Sequence, residues 1–103
     1  MTDWRTVCSI KSLKQDGYAV LELATTAVAV FDIEGELYAV EDICTHDGGE
    51  LAGGPIEGCT ITCPRHGARF DLRTGAVVAP PAYLPIQTFP VRIRDGQVEI
   101  GID

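Results

Sequence analysis

Two short motifs carry the residues with the clearest capacity for chemistry. Cys44-Thr45-His46 sets a thiol and an imidazole two positions apart, and Cys63-Pro64-Arg65-His66 sets a second such pair three positions apart. Sixteen residues lie between His46 and Cys63. Thiolate sulfur is a soft ligand suited to iron–sulfur clusters or zinc, and imidazole suits both metals. A pair this close in sequence turns both side chains to one point when the backbone curls. Pro64 and the flanking glycines permit that curl. Zinc fingers usually pair cysteine with cysteine and histidine with histidine. Here each motif mixes the two types, which suits a two-iron cluster taking one ligand of each type per loop. A tetrahedral zinc built from Cys44, His46, Cys63 and His66 stays open at this point. The chain has only 2 His, so if both bind metal none is left for acid–base catalysis.

The elements that must hold these motifs read as short strands separated by Gly-containing turns. Residues 4–8, 18–23, 27–33 and 36–43 form strands, and residues 9–14 have room for one helical turn. Glu34-Gly35 marks a tight hairpin, because glycine accepts the positive φ such a turn requires. The clearest hairpin follows Phe89: Val91 and Ile93 alternate with Arg92 and Arg94, Asp95-Gly96 turns, and Val98 and Ile100 alternate with Gln97 and Glu99. The expected fold is all-β, a small antiparallel sandwich or barrel with almost no helix. Three segments break the pattern: 44–55 with four glycines, 63–67 after a short strand at 59–62, and 79–85 with three prolines.

The chain has 103 residues, which fits one domain with a modest core. Its 8 basic and 15 acidic residues give a net charge of −7. That argues against nucleic acid and against an anionic membrane surface, both of which want clustered Lys and Arg. No apolar run approaches the roughly 18 residues of a membrane span, and no basic-then-apolar leader opens the sequence. A cytoplasmic location is expected. In that compartment the 4 Cys read as metal ligands or thiols and not as a disulfide framework. Cys8 and Cys59 read as small buried hydrophobes.

The two motifs, with Cys63-Pro64-Arg65-His66-Gly67-Ala68-Arg69-Phe70-Asp71 and the later proline loop, resemble those of Rieske [2Fe–2S] proteins. The resemblance covers essentially the whole chain. It implies a single domain over 1–103, with a base from 1–42 and 72–103. A cluster-binding subdomain over about 43–71 would be formed by two loops and covered by a proline loop. It implies one [2Fe–2S] cluster, with Cys44 and Cys63 on the inner iron and His46 and His66 on the outer. The imidazole edges would then be the route for electrons. Gly48, Pro64, Pro80, Pro81 and Tyr83 would wall the sulfides from water.

Within that family the pattern is similar to soluble Rieske-type ferredoxins. These pass single electrons from a flavin-dependent reductase to the terminal component of a non-haem iron oxygenase, often a ring-hydroxylating dioxygenase. The resemblance therefore implies an electron-transfer subunit and not an enzyme, monomeric, with a reductase and an oxygenase as partners. A carrier serving another system, such as iron–sulfur assembly, and a zinc-stapled interaction domain are the alternatives. High-potential relatives carry a disulfide at the positions of Gly49 and Arg65, and hydroxyls at those of Ala68 and Phe70. Their lack here implies a potential at the low end of the Rieske range, roughly −150 mV. Arg65 is either a solvated arginine or a partner contact. Glu41, Asp42 and Glu50 are either solvated surface or a means of selecting a basic partner.

Overall fold

A computed structural model describes residues 2–44, 49–65 and 67–102. The elements run β1 (Asp3–Ser9), α1 (Ile10–Asp16), β2 (Tyr18–Glu22), β3 (Ala27–Ile33), β4 (Glu36–Glu41), β5 (Ile56–Glu57), β6 (Thr60–Thr62), β7 (Arg69–Asp71), β8 (Val77–Ala79), β9 (Thr88–Phe89), β10 (Val91–Arg94) and β11 (Gln97–Ile102). The strands form three antiparallel sheets, ordered β1-β11-β10, β2-β3-β4-β9 and β5-β6-β7-β8. The expected all-β class is borne out.

The middle sheet explains the layering. Val28 and Val30 of β3 join Ala39, Leu13, Val98 and Ile100 in one core. Ala29 and Phe31 of the same strand join Val40, Leu51, Ile61, Phe70 and Leu72 in the other. Successive strand side chains point to opposite faces, so β3 is covered on both sides. That is why its stretch 27–31 reads as an unbroken apolar run and not as an alternation. Each fully buried side chain of this kind contributes about 1.5–3 kcal/mol.

Both hairpin turns have the chemistry read from the sequence. Glu34 and Gly35 have φ of 53° and 89°, and Asp95 and Gly96 have φ of 52° and 75°. Positive φ at both central residues is the type I′ geometry that matches strand twist. The helix α1 is longer than the one turn expected. Ser9 caps it by accepting the Ser12 N–H, and Gly17 closes it in the left-handed conformation. Leu13 then anchors it in the core. Two caps and one buried leucine stabilise a helix too short to persist alone.

Candidate metal centre

Cys44 lies just beyond β4 and Cys63 just beyond β6. Each opens a loop closed by the same bond. The Cys44 N–H donates to the Gly49 carbonyl at 2.7 Å, and the Cys63 N–H donates to the Ala68 carbonyl at 2.7 Å. In both, a cysteine reaches the carbonyl five positions on. Gly67, at φ 80°, also donates to the Cys63 carbonyl at 3.1 Å. Both cysteines are buried, at 0% and 1% exposure, and both belong to one packed cluster with Leu51, Ala68, Phe70 and Ala82. No disulfide joins any of the four cysteines. His46 and His66, with Asp47 and Gly48, lie outside the described residues.

Three features hold the two loops in place. The first is Asp42, one of the residues weighed for partner selection. It is 8% exposed, and its Oδ1 accepts the N–H groups of both Leu51 and Ala52 at 2.8 Å. It pins the far side of the glycine-rich loop and has no surface role. Glu41 is likewise engaged, accepting from the Thr26 hydroxyl at 2.9 Å. Of the three acids considered, only Glu50 is exposed.

The second feature is Gly54. A Cβ there would be driven into the Thr62 carbonyl oxygen and against Pro64. Only glycine lets the first loop cross the backbone leading into Cys63 this closely. The third is the proline loop, tied at its exit by the Ile86 N–H to the Gly75 carbonyl at 2.9 Å. Ala82 packs into the cysteine cluster.

The proline loop corrects one expectation. Tyr83 is 87% exposed and Pro80 is exposed, so neither walls the site. Ala82 does that instead, at 3% exposure and packed in the cluster that holds Cys44 and Cys63. Pro64 and Arg65 are exposed too.

The remaining cysteines are only half-buried. Cys8 packs at the edge of the base core, where burial and then Asp16 raise its thiol pKa. Cys59 lies outside both cores and beside Tyr38, whose hydroxyl is pushed up by partial burial and then by the Cys59 thiol. Asp71 of β7 is held below the usual carboxylate range by hydrogen bonds from the Arg73 side chain and backbone.

Two buried thiols in one core, each at the head of a short closed loop, are a donor set suited to a soft metal. Buried cysteine in an apolar cluster also keeps water from whatever the sulfurs bind.

The chain is similar to known proteins along nearly its full length. It is 34% identical over 102 residues to the anthranilate 1,2-dioxygenase ferredoxin subunit of Burkholderia cepacia, covering 99% of this chain and 94% of that one. The solved Sphingomonas yanoikuyae B1 ferredoxin superposes with a TM-score of 0.88 at 35% identity, covering 98% and 100%. A chain in the complex of reduced oxygenase and oxidized ferredoxin in carbazole 1,9a-dioxygenase also gives 0.88, at 29% identity, covering 95% and 92%. The Rieske [2Fe–2S] domain matches residues 3–90. With paired cysteine loops on an antiparallel β scaffold and a family match across most of its length, the chain belongs to the Rieske [2Fe–2S] domain family.

Proposed function

We propose that this chain is the ferredoxin of a non-haem iron dioxygenase system. In this reading Cys44 and Cys63 hold one iron of its [2Fe–2S] cluster, and His46 and His66 the other. The observation that carries it is the pair of buried thiols gathered into one core by two loops with the same closure. When bound, the cluster takes up and releases one electron at a time.

The chain's own residues shape that exchange. Leu51, Ala68, Phe70 and Ala82 exclude water from the cysteines. Ala68 and Phe70 are fully buried and have no hydroxyl to donate toward sulfur. Such hydrogen bonds stabilise the reduced state, so their absence favours a low potential. With both histidines in the ligand set, no imidazole is left for acid–base work, which fits a carrier and not a catalyst.

The domain is a single unit. Residues 1–42 and 72–103 serve as its base and 43–71 as its cluster-binding part, to whose sheet β8 adds a strand. Among the described residues no helix is long and apolar enough to cross a membrane. Four cysteines without a disulfide suit a reducing cytoplasm, where a flavin-dependent reductase would supply the electron and a terminal oxygenase receive it. The acidic balance of −7 suits steering toward basic partner surfaces.

The test is a redox titration of the purified protein with iron, zinc and acid-labile sulfide analysis. A red-brown protein with a one-electron midpoint of about −150 mV is expected. A colourless protein with one zinc would overturn the reading, and a clearly positive midpoint would overturn the account of Ala68 and Phe70.

A further inference from the structure

We infer that Tyr83 and Leu84 form the apolar anchor by which this chain docks on the terminal oxygenase. The inference rests on the reading above for the kind of partner, and adds which residues hold it.

Residues 74–91 contain no Asp, Glu, Lys or Arg, in a chain that is 22% charged. Tyr83 at 87% and Leu84 at 64% are the two most exposed large hydrophobic side chains among the described residues, and Val78 at 51% lies on the same stretch. Adjacent large apolar side chains exposed on one uncharged stretch form the kind of contiguous patch that marks an interaction site. A surface free of charge can be covered without stripping water from ions.

The pair is also held still. Pro81 precedes Ala82 and Pro85 follows Leu84, which fixes φ on both sides. Ala82 is packed at 3% exposure, and Ile86 is tied to Gly75. A rigid aromatic loses little freedom on binding, which is what a central contact needs.

Position and charge together name the occupant. The residue before Tyr83 packs in the same cluster as Cys44 and Cys63, so a protein seated on Tyr83 and Leu84 stands beside those cysteines. A ferredoxin that superposes on 95% of this chain has been solved in complex with its oxygenase. The acidic remainder of the surface steers a basic protein, and the uncharged stretch then sets the contact. The matching surface is an apolar recess for one aromatic and one leucine side chain, rimmed by basic groups.

The experiment uses the cluster-loaded protein with the oxygenase components of the anthranilate and carbazole dioxygenase systems. A flavin-dependent reductase is assayed in parallel. Affinity is read by calorimetry and electron delivery by the KM for this chain. For Y83S/L84S a rise of about 30-fold in Kd and KM for the oxygenase is expected. The visible spectrum and midpoint potential should stay unchanged, and so should the slope of KM against salt. Tyr83→Phe keeps the ring and should restore affinity. Ile93→Ser, which removes another exposed hydrophobe at 53%, should leave KM unchanged. An unchanged Kd and KM in Y83S/L84S overturns the inference, as does a loss confined to the reductase or one accompanied by an altered spectrum. Wild-type protein that reduces neither oxygenase removes the underlying reading as well, a result distinct from failure of the anchor alone.

Discussion

The base and the cysteine-bearing sheet are built by different means. In the base, β1, β3, β4 and β11 are six or seven residues long and meet through long ladders, that of β1 and β11 shifted by one bulge between Thr6 and Cys8. Its core is aliphatic: Leu13, Val28, Val30, Val98 and Ile100. The third sheet has strands of only two or three residues. Its cohesion comes from Asp42 gripping two amides, from Gly54 against the Thr62 carbonyl, and from the two cysteine closures. Strands this short contribute little pairing energy alone. One half of the molecule is thus stabilised by burial along long ladders, and the other by a buried cluster of Leu51, Ile61, Phe70 and Leu72 with point contacts around the cysteines.

Metal removal should split the halves most widely. With the proposed ligands, stripping iron under reducing conditions would take away the bonds joining the two loops. Amides of Ile61 and Phe70 should then lose hydrogen-exchange protection by orders of magnitude, while Val30 and Val40 keep theirs. Loss of protection throughout, or none anywhere, would erase the distinction.

Next come the two cores. Phe70→Ala should cost about 3–5 kcal/mol and Ile100→Ala about 2–5 kcal/mol. The expected difference is in the signature. Denaturation followed by both visible absorbance and far-ultraviolet circular dichroism should show cluster loss ahead of unfolding in the Phe70 variant. The two signals should coincide in the Ile100 variant.

Asp42→Ala leaves two amides without their acceptor and should cost about 3 kcal/mol. Cluster release to a chelator should quicken in this variant, and Asp42→Asn, which keeps an acceptor oxygen, should recover most of the loss. Equal release rates in all three proteins would deny Asp42 its positioning role.

The smallest effect concerns acid. Asp71 is held below the usual carboxylate range by Arg73. Its contribution is therefore complete above the unfolded carboxylate value and is lost as pH falls through the lower folded value. The pair is partly exposed, so the change in stability is modest. In a carbon-detected titration, Arg73→Gln should return Asp71 toward the ordinary range and leave carboxylates of the base unmoved.

The same contrast decided what the sequence made legible. β3 matched its expected bounds, and the Asp95-Gly96 hairpin matched in strand and turn. Strands of that length show periodicity, and X-Gly turns have strict backbone needs. β5, β7, β8 and β9 went unread, since two or three residues carry no period. The cysteine positions were legible because thiol and imidazole at close spacing constrain chemistry, whatever the local structure. Asp42 and Ala82 were not, because their roles depend on amides and a core assembled from distant parts of the chain. Tyr83 was misread as wall, because nothing local separates an inward aromatic from an outward one.

The central claim is that two cysteines and two histidines share a two-iron cluster in a one-electron carrier. The most direct measurement is electron–nuclear double resonance on the reduced protein with its histidines labelled with nitrogen-15. Couplings from two histidine nitrogens are predicted, together with two irons and two labile sulfides per chain. An iron-loaded protein with no histidine coupling, or one in which His46→Ala and His66→Ala each leave the spectrum intact, would contradict it.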